Sequence, residues 1–283
     1  MPDPGLQLYP LRALIRAGIC AAGLMLAGCA APIDPASWAS PGEVPARAAV
    51  ADVPLIVQDD FFCGPASLAM VYQWAGQEVT QAEVARQSFT PGARGTYLSD
   101  MVGNARRRGQ LAVTLSSPED LLAELAAGHP VIVFQNLGVR WLPRWHYGVA
   151  VAYDTAAGQI VLHSGESERM VMPLDLFERT WARADYWALV VLPPGEMPAL
   201  DDEIDLLQAG SALERAGQAA AAAAHYRAGA ARYPDNWLWQ FGLGNATFAE
   251  GDTEGARRAW EAALQIDPEA EEPRENLRRL AGS

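Results

Sequence analysis

The chain has 283 residues, with 21 basic against 34 acidic side chains and a formal net charge of −13. Nucleic acid is therefore not an expected partner, because its binding needs clustered positive charge. All the basic residues are arginine, and the absence of lysine removes a phosphate-binding loop with its lysine and every Schiff-base mechanism.

Arg12 and Arg16 precede an uncharged run over residues 17–27, the pattern of an export signal. The run is too short to span a bilayer comfortably. It ends in Leu26-Ala27-Gly28-Cys29, which resembles the lipobox of bacterial lipoproteins. That resemblance implies that residues 1–28 are removed as a signal peptide, Cys20 among them, and that Cys29 carries a lipid. With Ala30 in the next position it further implies attachment to the periplasmic side of a membrane, the outer one. Cys63 then remains as the single thiol, without an intramolecular partner in an oxidising compartment. Residues 29–54, rich in Ala, Pro and Ser, read as a flexible tether.

A first domain is expected over 55–195. Helical patterns cover residues 64–74, 81–87, 98–108 and 118–127, and strand-like runs cover 131–135, 147–153, 160–163 and 187–192. Helices followed by an antiparallel sheet make an α+β domain. Beyond Pro193-Pro194-Gly195 the composition changes to alanine-rich helix over 203–282. Gly210, Gly217, Ala222, Tyr226 and Pro234 recur 34 residues later as Gly244, Gly251, Ala256, Trp260 and Pro268. The period and the order of small, large and Pro resemble the tetratricopeptide repeat, here two repeats and a capping helix over 271–280. Such arrays usually need about three repeats to stand alone, so this one is expected to lean on the first domain or on a protein partner. Trp237 and Trp239 read as ordinary packing, and His225 and His129 as surface residues.

The chemistry gathers around Cys63, in Gln58-Asp-Asp-Phe-Phe-Cys63-Gly-Pro-Ala-Ser-Leu-Ala-Met. Pro65 in the first helical turn places the helix start at the cysteine. A thiol there feels the positive end of the macrodipole, which favours thiolate. The Cys63 N–H and the neutral amide of Gln58 are candidate oxyanion donors. Of the four histidines, His146 and His163 are the candidate bases, and His146 is preferred because it opens the strand His146-Tyr-Gly-Val-Ala-Val-Ala-Tyr.

Gln58-x4-Cys63-Gly-Pro-Ala-Ser-Leu-Ala-Met, followed by His146-Tyr-Gly-Val-Ala-Val, resembles the papain-like bacteriocin-processing cysteine peptidases that cut after double-glycine leaders. The resemblance runs from Leu55 to Leu192. It implies a papain-like cysteine peptidase with Cys63 as nucleophile, His146 as base, Gln58 in the oxyanion hole, a peptide or protein substrate, and no cofactor or metal. The family's aspartate, in an Asp-Pro pair, has no match: Ser164 stands there, within Ile160-Val-Leu-His163-Ser164-Gly165-Glu166. Asp154 lies about 26 Å along the same strand from His146 and reads as a hairpin-turn residue. If the hairpin turns near Ala156, Glu166 faces His146 and Ser164 is its diagonal neighbour. The Ser164 hydroxyl, the Glu166 carboxylate or a backbone carbonyl could each orient the imidazole. A serine stabilises imidazolium less than a carboxylate, so the alternative is an inactive peptidase-like domain that serves, with the repeats, as a periplasmic adaptor. Trp141 and Trp145 would line a peptide groove if exposed and cap the sheet if buried.

Overall fold

The computed structural model of the chain describes Trp38 and residues 44–282. The expected signal peptide and Cys29 lie outside the described residues.

An antiparallel sheet organises the first domain. Its strands are β1 (Arg47–Ala49), β2 (Leu111–Leu115), β3 (Val131–Asn136), β4 (Trp145–Asp154), β5 (Gln159–Ser164), β6 (Ser167–Pro173) and β7 (Ala188–Leu192), in the order β2-β7-β3-β4-β5-β6 with β1 on β4. Runs such as Val131-Ile-Val and Ala188-Leu-Val-Val-Leu are buried throughout, because both faces of the central strands are covered. Five helices accompany the sheet: α1 (Cys63–Trp74), α2 (Gln81–Ser88), α3 (Leu98–Arg107), α4 (Pro118–Ala126) and α5 (Leu174–Ala182). Helix α1 is almost wholly apolar and is buried from Gly64 to Tyr72 against β4.

Three features depart from expectation. The tether expected over 29–54 ends early: β1 pairs Arg47, Ala48 and Ala49 with Asp154, Tyr153 and Ala152, and Val50 and Val53 are buried. A three-residue strand is too short to show a period, so only its pairing reveals it. Strand β2 falls between two helices and α5 between two strands, so the chain is less strictly segregated than helices first, sheet second. Strand β6 is an exposed edge whose Ser167-Glu-Arg start masks its alternation, as charged residues on edge strands commonly do.

The C-terminal region is all helical: α6 (Glu203–Arg215), α7 (Ala219–Arg232), α8 (Trp237–Ala249), α9 (Thr253–Ile266) and α10 (Glu271–Ala281). The 34-residue periodicity has a packing cause. A Cβ on Gly210 would come within 2.8 Å of the Tyr226 ring, and one on Gly244 within 2.3 Å of the Trp260 ring. The small residue admits the large one, and the pair repeats. Trp239 is fully buried against Gly229, as ordinary packing.

The helices lean on the first domain. Gln218 Nε2 donates to the Arg107 carbonyl at 2.8 Å. The linker between the two regions is held by His129, whose Nδ1 lies 2.6 Å from buried Glu124 and whose Nε2 lies 3.0 Å from Glu196. The other Glu124 oxygen accepts the Leu200 N–H at 3.0 Å. His129 is thus not a surface turn residue. Nor is His225 solvated: it is fully buried, with Nε2 2.8 Å from the Leu206 carbonyl. Both expectations failed because a lone histidine carries no period of its own that reveals which face it occupies.

Candidate active site

Cys63 is the first residue of α1, and the preceding residue, Phe62, offers the helix no side-chain cap. The first-turn N–H groups are therefore free to serve a ligand or the thiol. The loop that delivers the cysteine is stapled by Gln81, whose amide nitrogen donates to the Val57 carbonyl at 2.9 Å and whose oxygen accepts the Asp59 N–H at 3.2 Å. Between those two anchors sits Gln58, half-buried, its amide unpaired among the described residues. Phe61 takes a left-handed φ of 65° and turns the chain into the helix. Gly64 lets the helix approach Thr96, because a Cβ there would meet the Thr96 side chain at 3.0 Å.

The thiol is half-buried and unpaired with any other cysteine among the described residues. Burial pushes its pKa above the ordinary value, only partly countered by the N–H groups of Tyr147, Gly64 and Cys63 itself that face the sulfur. This corrects the expectation of a thiolate: loss of hydration outweighs what the helix terminus supplies. The N–H of Tyr147 facing the sulfur brings the cysteine against β4 at the residue next to His146.

His146 Nε2 lies 2.7 Å from Ser164 Oγ. Ladder register explains the meeting. Val149 pairs with His163 and Ala150 with Leu162, so the register extended one residue pairs Gly148 with Ser164 and puts His146 on the diagonal. A Cβ at Gly148 would stand 3.7 Å from Ser164 Cβ, so its absence leaves the hydroxyl open to the imidazole. Glu166 is exposed in the tight turn that joins Ser164 to Ser167, with no hydrogen bond to His146 among the described residues. Asp154 accepts the Ala157 N–H at 2.9 Å, as a hairpin-turn residue does. The other candidate base, His163, is buried, with the Pro54 carbonyl as its ring partner. Burial first and the nearby Arg144 second pull the His146 pKa below its ordinary 6.5. Thiol and imidazole are therefore both held towards their neutral forms at rest.

A cleft of about 480 Å³ opens at Cys63. Phe134, Trp145 and Tyr147 form one wall and the segment 93–98 the other. Phe134 stacks on Trp145 at 5.1 Å and packs on Tyr147 at 4.5 Å, and Tyr147 Oη donates to the Thr96 carbonyl at 2.9 Å, tying the walls together. Trp145 is half exposed and lines the cleft, which selects the groove over the sheet cap for that residue. Phe134, Tyr147 and the 93–98 segment were not anticipated. Tyr147 had one available signal, its place beside His146; the segment 93–98 had none, since only folding brings it to Cys63. Among the described residues there is no group of three or more His, Cys, Asp or Glu side chains placed to hold a metal.

Residues 50–188 match the family model described as the Peptidase_C39 like family, so the chain carries a C39-like domain over just under half its length. No curated protein matches it. Among solved structures, a C39-like peptidase from Bacillus anthracis is 20% identical at a TM-score of 0.45, covering 54% of this chain and 98% of that one. The peptidase domain of Streptococcus ComA, a bi-functional ABC transporter, is 23% identical at a TM-score of 0.41, covering 50% of this chain and 99% of that one. A double glycine motif protease from an AMS/PCAT transporter, in complex with the leader peptide, is 21% identical at a TM-score of 0.42, covering 51% and 94%.

Proposed function

We propose that the chain is a lipid-anchored, papain-like cysteine peptidase acting at the periplasmic face of the outer membrane. The observation that carries the chemistry is the 2.7 Å contact between His146 Nε2 and Ser164, beside a thiol that faces the next residue of the same strand. With Nε2–H donated to Ser164, Nδ1 keeps its lone pair for the Cys63 proton. The thiol passes that proton to Nδ1 as sulfur attacks a peptide carbonyl. The oxyanion is received by the Cys63 N–H and the Gln58 amide. Imidazolium then protonates the leaving amine, and water, activated by the same imidazole, hydrolyses the thioester. The Ser164 hydroxyl orients the ring without adding a negative charge.

The substrate is a peptide or protein segment held along the aromatic cleft. The helical region is read as two tetratricopeptide-type hairpins that hold a protein partner. Comparison of new protein N-termini in the periplasm of cells carrying wild type, Cys63→Ala or His146→Ala tests the reading. A common set should vanish from both variants; identical sets in all three overturn it.

The half-buried thiol and the uncharged partner of His146 also favour a second reading, an inactive domain serving as an adaptor with the helices. It predicts that Cys63→Ala is silent in cells while deletion after Pro194 is not.

A further inference from the structure

Between β3 and β4 the chain makes a short, tightly braced projection. Asn136 Oδ1 accepts the N–H groups of Gly138 and Arg144, both at 2.9 Å, and Arg183 Nη1 donates to the carbonyls of Gly138 at 2.8 Å and Asn136 at 3.3 Å. Leu137 N–H donates to the Arg144 carbonyl at 2.9 Å, and Val139 and Leu142 bridge each other above it. So fixed, the projection holds Trp141 84% exposed and Leu142 69% exposed, where nothing in the fold uses them. Flexibility does not explain that exposure, because the N–H groups of Leu137, Gly138, Val139, Leu142 and Arg144 on either side are all hydrogen-bonded. Arg140 and Arg144 flank the pair, both exposed, and neither meets a carboxylate among the described residues. No acidic residue occurs from 136 to 147 in a chain of net charge −13. An indole and a leucine bracketed by guanidinium groups match the boundary between acyl chains and anionic headgroups.

The course of the N-terminal chain points to the same occupant. Trp38 is buried against Phe177 at 6.1 Å and Trp181 at 6.3 Å, on the helix that ends just before Arg183, the residue bracing the projection. Cys29 precedes Trp38 by nine residues, so a lipid on Cys29 would hold the bilayer within roughly 30 Å of Trp38.

We propose that the turn Val139–Leu142 docks on the anionic bilayer to which the chain is tethered, with Trp141 and Leu142 in the headgroup boundary and Arg140 and Arg144 on lipid phosphates. Trp145, at the foot of the projection, lines the cleft at Cys63, so docking turns the cleft mouth towards segments lying at the membrane surface. The length argument rests on lipidation of Cys29; the docking itself does not.

The full chain, as matured by the cell, is reconstituted in vesicles of phosphatidylethanolamine and phosphatidylglycerol containing brominated phospholipid. The mass of the mature chain reports the lipid separately. Tryptophan quenching by bromine should fall in Trp141→Phe. The ratio of docked to undocked chain should drop about fivefold for each of Arg140→Gln and Arg144→Gln at low salt, and should fall likewise in phosphatidylcholine vesicles. Trp141-dependent quenching in a chain without lipid sustains the proposal. Equal quenching in wild type and Trp141→Phe, or quenching indifferent to lipid charge, overturns it. So does a Trp141→Phe variant with unchanged quenching but a raised KM for a soluble peptide, which would assign the projection to the substrate groove.

Discussion

Two histidines of the C39-like domain sit in opposite electrostatic settings. At the linker, burial alone would pull His129 down, but the hydrogen bonds and charges of Glu124 and Glu196 together raise its pKa above the ordinary 6.5. At the cleft, His146 has burial and Arg144 against its charge and only the Ser164 hydroxyl beside it, and its pKa falls. The domain thus has carboxylates at the histidine that joins segments, where they favour its charged form, and none against the histidine at the cleft. For the proposed peptidase, a neutral imidazole and a neutral thiol call for a general base that acts as the substrate arrives, rather than a resting thiolate–imidazolium pair.

The largest effects are expected at the cleft. Cys63→Ala should abolish hydrolysis, and His146→Ala should lower kcat/KM by about 10²–10⁴-fold. Gln58→Ala should cost about 10²–10³-fold in kcat if its amide receives the oxyanion. Those values are checked on a peptide identified from the N-terminal comparison. A Gln58→Ala variant with wild-type kcat removes Gln58 from the site.

At the linker the readout is stability. His129→Leu leaves Glu124 buried without its imidazole partner and should lower unfolding free energy by about 3–5 kcal/mol in a denaturant titration below pH 6.5. Activity per folded molecule should stay unchanged.

The pH dependences should run in opposite directions. His129 has a raised folded pKa, so its contribution to stability is fully present below about 6.5 and is lost as pH climbs through the folded value. His146 must be neutral to accept a proton, and its depressed pKa puts the acid limb of kcat/KM below 6.5. Thermal melts and rate profiles across the same buffers check both signs.

The smallest effect belongs to Ser164. Ser164→Ala removes one hydrogen bond and should reduce kcat/KM about two- to tenfold. Ser164→Asp should raise the His146 pKa, moving the acid limb of the rate profile upward and making His146 resemble His129. An acid limb that stays in place shows that residue 164 does not touch the imidazole in solution.

Much of the fold was legible in the sequence because its signals are local. The helix at Cys63 follows from Gly64-Pro65-Ala66 and the apolar run behind it, and the hairpin at Asp154 from a turn residue flanked by alternating strands. The 34-residue recurrence was visible because each Gly–aromatic contact repeats in sequence as in space. Strands β1, β2 and β6 were missed because they are very short, wedged between helices or charged at an edge. Phe134 and the 93–98 segment reach the cleft through pairing and packing over long stretches of chain, which leaves no periodic mark.

The side chains able to do chemistry can be read from the order of residues alone: one thiol at a helix start, one histidine opening a strand, a glutamine amide upstream, and no aspartate at the expected place. Tertiary structure alone decided their electrostatic states. Ser164 and not Glu166 meets His146 because the register of β4 with β5 and the tight turn after Ser164 set that distance. Cys63 is driven towards the thiol by burial against β4, and the His129 pKa is raised because Glu124 and, from a linker some seventy residues away in the chain, Glu196 both meet its ring. Desolvation and pairing depend on separations in space, and those exist only once the chain has folded.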